Sequence, residues 1–249
     1  MRKTDNLLVK SQHVDWKQRR SILSFILIMM SLLVAGSVDA AMLTQTDKHS
    51  VATSQSQPRL KQMLKHALFS YGTADYQTAY QRLNRLALQD IADAQYYLAT
   101  LYDDGRGVEP NAAMAAYWYR RAAKLGHVNA QYNIGVAHAN GDGVQKNMID
   151  AVRWWRVAAI SGSINAQFNL GIMYLKGEGI RRDASEAVHW WNKAAQQGDP
   201  AAQYNLGALY ANGQGVSQDV NTALNWWTRA AEQGFEQAIV ALRQFHSLK

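Results

Sequence analysis

An all-α solenoid of stacked helix pairs is the fold this sequence predicts, and three observations predict it. Residues 94–237 fall into four units of 36 residues, 94–129, 130–165, 166–201 and 202–237, joined without gaps. Each unit contains two stretches whose apolar residues recur at helical spacing. Stop and start residues stand at the same offsets in every unit. One such unit cannot bury its apolar face alone, whereas stacked neighbours can.

Residues 1–40 open the chain as an export signal. A basic segment ends at Arg20, an apolar run covers residues 22–35, and Val38-Asp39-Ala40 precedes Ala41. That order is the one a secretory signal has, with cleavage expected after Ala40. The apolar run is short of the roughly 20 residues that cross a bilayer. An uncleaved inner-membrane anchor, its N-terminus on the cytoplasmic side, is the alternative. Arg19-Arg20 with Ser-Ile-Leu matches a twin-arginine signal in part, but no cofactor motif accompanies it, so the general secretory route is expected. Either way the rest of the chain is expected in the periplasm or secreted, or anchored and facing the periplasm. Residues 41–57 are polar and rich in Ser, Thr and Gln, and read as a flexible linker.

Residues 58–93 read as a degenerate helix pair, 58–71 and 74–88, with a short turn at Gly72. This pair resembles a tetratricopeptide unit. In the four regular units the first helix carries apolar residues at i, i+4, i+7 and i+8, as in Ala202, Leu206, Leu209 and Tyr210. A Gly-x-Gly follows. The second helix starts after Asn111, Asn147, Asp183 or Asp219, residue types that cap helix N-termini. Glu186, three residues after Asp183, has the spacing of a capping box. Ala187, Trp190, Trp191, Ala194 and Ala195 share one face. Gly126, Gly162, Gly198 and Gly234 then end the second helices, a position that favours left-handed backbone. Residues 238–249 begin a fifth unit and stop after one helix, a C-terminal cap.

Composition narrows the function. The chain has no cysteine, which removes disulfides, thiolate nucleophiles and Cys-based zinc sites. The formal charge is +7. Residues 1–40 hold six of the 26 basic and three of the 19 acidic residues, so the remainder carries 20 and 16, a net of +4. Without a basic block after residue 40, that excess is a solvated surface and not a nucleic-acid footprint.

The quoted residues resemble the Sel1-like repeat family, whose pattern runs A-x-x-x-L-G-x-x-Y-x-x-G-x-G-V and then D-x-x-x-A-x-x-W-x-x-x-A-A-x-x-G. Ala202, Leu206, Gly207, Tyr210, Gly213, Gly215, Val216, Asp219, Ala223, Trp226, Ala230, Ala231 and Gly234 fill it in order. Ala99 departs from the helix glycine in the first unit, and His138 from the tyrosine in the second. The resemblance implies a right-handed α/α superhelix like that of tetratricopeptide proteins. It also implies an adaptor role, with exported bacterial members serving envelope signalling, polysaccharide production, host interaction or envelope assembly. A subfamily linked to penicillin binding carries paired cysteines. This chain has none, so that activity is not carried over.

No catalytic motif stands out. The chain lacks G-x-S-x-G, H-E-x-x-H, a Walker A loop and S-x-x-K. His127, His138 and His189 stand at unrelated repeat positions, and Asp142 and Glu178 lie in loops without a matched carboxylate. The Gly-x-Gly follows a helix, lacks the third glycine of a dinucleotide loop, and recurs in every unit with Arg106, Asp142, Glu178 or Gln214 between the glycines. No enzyme, cofactor or metal site is expected. The pairs Trp118-Tyr119, Trp154-Trp155, Trp190-Trp191 and Trp226-Trp227 read as core, with carbohydrate stacking as the other reading.

The candidate binding residues form an asparagine ladder. Asn133, Asn169 and Asn205 share one position of the first helix, where the first unit has Tyr97. Asn140, Lys176 and Asn212 lie on the same helical face two turns on. An Asn there can clamp a peptide backbone, accepting and donating at once. A packing role within the repeat is the other reading. The expected function is an exported, non-enzymatic scaffold binding a protein or peptide in a concave groove. A periplasmic enzyme of cell-wall or polysaccharide metabolism, or a carbohydrate-binding module, is the alternative.

Overall fold

Eleven helices form residues 48–247, the part of the chain that the computed structural model describes, and no strand occurs among these residues. They are α1 (Lys48–Gly72), α2 (Tyr76–Ala87), α3 (Ala92–Asp104), α4 (Ala112–Lys124), α5 (Val128–Asn140), α6 (Met148–Ile160), α7 (Ile164–Lys176), α8 (Ala184–Gln196), α9 (Pro200–Asn212), α10 (Val220–Glu232) and α11 (Glu236–Ser247). The expected export signal, residues 41–47 of the linker and the last two residues lie outside the described residues. No described helix is long and apolar enough to cross a membrane.

The helices fall into two compact units. One contains α1–α3 and ends at Pro110; the other starts at Asn111 and contains α4–α11. Within each unit every helix packs on the next one in the chain, which is the contact pattern of an α/α solenoid.

The expected caps form. Asn111, Asn147, Asp183 and Asp219 are extended residues whose side chains accept the first free amides of α4, α6, α8 and α10. The capping box at Asp183 closes on one side only. Glu186 N–H donates to Asp183 Oδ1 at 3.2 Å, but Glu186 Oε2 accepts from Trp190 Nε1 at 3.1 Å. The Asp183 amide that a capping-box Glu would accept already donates to Tyr174 O at 2.9 Å. Asn147 and Asp219 bond in the same way to the carbonyls of His138 and Tyr210. In these three repeats that bond ties the start of the second helix to the last turn of the first.

The first pair differs from the expectation in two places. Residues 48–57 are helical, so α1 starts ten residues ahead of Pro58 and carries the proline inside it. Nothing in residues 48–57 breaks a helix, since they contain neither Gly nor Pro. The turn also lies beyond Gly72. Thr73 and Asp75 amides donate to Phe69 and Ser70 carbonyls, and Ala74 takes the left-handed position at φ 62°. Asp75 then caps α2 through Thr78 N–H.

Alanine and tryptophan share the core as expected. Ala187, Ala194, Leu170 and Leu206 are fully buried, and Trp191 is the largest side chain to be so. Small residues at the helix crossings allow close approach, and the indoles fill the spaces that remain.

Candidate functional site

The Gly-x-Gly loop comes first, because nucleotide chemistry would reside there. Its first glycine is a helix stop: Gly141 takes the left-handed conformation and its amide returns to Ala137 O. Its second glycine allows close approach between repeats. A Cβ on Gly179 would lie 2.5 Å from Met148 O, at the start of the preceding repeat's second helix, and Gly143 stands in the same relation to Ala112. The second glycine of the loop is thus seated on the backbone of the preceding repeat.

The glycine inside the first helix has a different partner. Trp155, Trp191 and Trp227 donate their indole N–H to the carbonyls of Tyr132, Phe168 and Tyr204, at 3.2, 3.0 and 3.1 Å. Each carbonyl lies three residues before Gly135, Gly171 or Gly207. A Cβ on Gly135 would stand 2.6 Å from Trp155 Nε1. The pair locks second helix to first within one repeat. The second indole of the last three pairs is thus core. Trp190 is buried as well, while Trp154 and Trp226 are half-buried.

A glutamine row was absent from the sequence reading. Gln95, Gln131, Gln167 and Gln203 are buried, and each Nε2 donates to the carbonyl eight residues earlier, those of Ala87, Ala123, Ala159 and Ala195. Those carbonyls are left over at helix ends. Gln197 and Gln233 in turn donate to Oε1 of Gln167 and Gln203, at 2.7 and 2.8 Å. Ser161 holds the corresponding place for Gln131, whose buried Oε1 has no partner. The signal was available: a Gln follows the first Ala in all four units.

The asparagine ladder is uneven. Asn169 is half-buried, whereas Asn133 and Asn205 are only 7% and 1% exposed. Asn133 Nδ2 and Asn205 Oδ1 are buried without a hydrogen-bond partner. Unspent polar capacity of this kind is costly inside a protein. Asn140, Lys176 and Asn212 are exposed. Asn140 donates to Asp142 Oδ2 at 3.0 Å, and Lys176 lies 3.6 Å from Glu178. Tyr97, at the ladder position of the first unit, is held edge-on by Tyr71 and Tyr96, with ring centroids 4.9 and 5.1 Å away.

Burial, reinforced by Tyr96, Tyr71 and Asp93, pushes the Tyr97 phenol well above its usual range. Burial and the hydroxyl contact with Tyr80 push Tyr102 up to about 12. Neither phenol is a base at neutral pH. Among the described residues no three His, Asp or Glu side chains are grouped to hold a metal ion.

The Sel1 repeat family model matches residues 92–127, 128–163, 164–199 and 200–235, two residues ahead of the units as counted above. Among solved structures, the chain is similar to a Sel1 repeat protein from Oxalobacter formigenes. The two are 35% identical with a TM-score of 0.67, over 70% of this chain and 71% of that one. It is also similar to a protective antigen present in uropathogenic Escherichia coli strains that displays an SLR fold, at 38% identity and a TM-score of 0.60. That likeness covers 62% of this chain but only 33% of the antigen. No curated protein matches the chain.

Proposed function

Because the chain belongs to the Sel1 repeat family, whose members generally act as protein-interaction scaffolds, we propose that it is an exported, non-enzymatic adaptor that binds a protein or peptide along its first helices. The role fits envelope regulation or assembly, a reading supported by the export signal expected at residues 1–40.

One observation carries this reading. The first helices α5, α7 and α9 present asparagines at one position, two of which hold a buried amide atom with no partner. Exposed Asn140, Lys176 and Asn212 stand two turns further along the same face. A bound peptide backbone supplies both donors and acceptors to the accessible members of this face, half-buried Asn169 and exposed Asn140 and Asn212. Half-buried Asn169, with exposed Lys176 two turns along the same face, is the most accessible ladder position.

Two measurements test the proposal. The mass of the mature protein from a periplasmic fraction is expected to correspond to a start at Ala41. Saturable binding of an envelope protein to the full chain is expected to fall at least about tenfold in Asn169→Ala/Lys176→Ala. Undiminished binding in that variant, with an unchanged circular dichroism spectrum, defeats the first-helix site.

A further inference from the structure

The second helix of the second repeat breaks the surface pattern of the other three. Ile149, Val157 and Ile160 on α6 are 54, 44 and 71% exposed. The equivalent residues are Ala113, Ser185 and Asn221 for Ile149, and Lys124, Gln196 and Glu232 for Ile160. At the position of Val157 the other repeats have Arg121, Lys193 and Arg229. These cations lie over the rings of Trp118, Trp190 and Trp226, at 5.4, 4.8 and 4.8 Å. Three solvent-facing positions thus carry branched aliphatic side chains in this helix and in none of the other three. Their spacing of i, i+8 and i+11 puts them in one sector of the helix, about 16 Å long, with Arg153 at i+4 between them and Arg156 at i+7 on its border.

The second helices of the first two repeats are mostly basic, whereas those of the next two are balanced. Helices α4 and α6 together carry five basic residues, Arg120, Arg121, Lys124, Arg153 and Arg156. Their one acidic residue, Asp150, is held in the first turn of α6 by Asn147 Nδ2 at 2.7 Å and Arg153 at 3.0 Å. By contrast, α8 and α10 carry two basic and two acidic residues, Lys193 and Arg229 against Glu186 and Glu232.

We propose that the outer face of α6 docks an acidic amphipathic helix of a partner protein, with apolar side chains against Ile149, Val157 and Ile160 and carboxylates against Arg153 and Arg156. The charge excludes a second copy of this face: a two-fold contact would set the arginines of one α6 against those of the other. The stripe is also narrow. The opposite side of α6 is committed to the core through Ala151, Val152, Trp155, Ala158 and Ala159. One edge of a helix offers a row for another helix, whereas membrane-surface binding needs a broad apolar face with long or aromatic side chains.

The test uses the full chain and a fluorescent peptide of about 18 residues, helical, with Leu on one stripe and Glu flanking it. A second peptide replaces every Glu by Lys. The variant Ile149→Ser/Val157→Arg/Ile160→Lys installs residues that the other repeats already carry at these positions, so the fold is expected to persist. Binding of the Glu peptide is expected to exceed that of the Lys peptide by at least about tenfold, and to drop by a similar factor in the triple variant. It is expected to weaken with salt and to be unchanged in Asn169→Ala/Lys176→Ala, which separates this site from the first-helix site. Equal binding of both peptides, or undiminished binding by the triple variant, overturns the proposal. So does self-association in sedimentation that the triple variant abolishes, or uptake onto phosphatidylglycerol vesicles without peptide binding.

Discussion

The second repeat and the two that follow it share one backbone plan but differ in how their buried polar groups are satisfied. In the third and fourth, Gln167 and Gln203 are bonded at both ends of the amide. In the second, Ser161 leaves Gln131 Oε1 unpaired, and His138 has a buried Nδ1 without a partner. Its counterpart Tyr174 accepts from Arg156 at 3.0 Å. Yet the second repeat keeps its caps, its loop glycines and its Trp155–carbonyl bond. Backbone-level contacts therefore set the repeat geometry, while single side-chain bonds can be given up. A repeat relieved of some internal bonds is also the one whose outer surface has diverged.

The largest expected effect would break that ranking if it failed. Gly179→Ala places a methyl against Met148 O at a left-handed φ of 70°. It is expected to cost about 3 kcal/mol or more, from the conformational penalty and the clash together. Gly162→Ala has a φ of 93° but open space around the new methyl, so about 1–2 kcal/mol is expected. Urea unfolding measures both, and equal losses would show that the loop contact is unimportant.

Next are the helix glycines. Gly171→Ala is expected to lose about 2–4 kcal/mol, because the methyl meets the Trp191 indole and removes its bond to Phe168 O. Gly135→Ala in the second repeat is expected to lose as much. A much smaller loss there would mean that the second repeat is locked differently. Tryptophan fluorescence reports on both sites directly.

The glutamine row sharpens the same contrast. Ser161→Gln is expected to supply the donor that Gln131 lacks and to stabilise the protein by about 1 kcal/mol. The reverse change, Gln197→Ser in the third repeat, is expected to cost a similar amount. Thermal unfolding midpoints equal to the parent's in both variants would show that the bond contributes nothing.

The smallest effects concern pH. The second repeat caps α6 and α7 with neutral Asn147 and Ser163, while Asp183, Asp199 and Asp219 do this in the next two. The Ser185 hydroxyl and capping amides hold Asp183 below the ordinary carboxylate value, and the Thr222 hydroxyl and amides do so for Asp219. Their stabilisation is present above the unfolded pKa and is lost as pH falls through the folded one. Burial pushes Asp199 the other way, against the pull of the Ala202 and Ala201 amides. Its charge is penalised at neutral pH, and the penalty disappears on acidification. Asp199→Asn is thus expected to raise the unfolding midpoint at about pH 7 and to match the parent by about pH 4. Asp183→Asn is expected to lower it at neutral pH and to converge at low pH. A rise in both variants at neutral pH would contradict the assignment.

Most of the fold was legible because repetition multiplies weak signals. One Gly-x-Gly is ambiguous; four of them, each at a helix end with a capping Asn or Asp downstream, are not. The first pair was less legible because it lacks that support, and Ala74 and not Gly72 takes the left-handed turn. The site was legible only in outline. Helical spacing puts Asn133, Asn169 and Asn205 on one face, but their unequal burial depends on what neighbouring helices place over them. The role of the Gln row was missed because a buried glutamine becomes intelligible only once the leftover carbonyl beside it is located.

The sequence by itself determined the helix pairs, their ends and their stacking, since caps, glycines and apolar spacing act within a few residues. Only the tertiary structure decided which glycines serve as turns and which as contacts, because that depends on whether Met148 O or Trp191 occupies the place of a side chain. It also decided that the indoles donate inward to carbonyls, and that three apolar residues of α6 are left facing water. Those properties belong to pairs of helices, and no single stretch of sequence contains both partners.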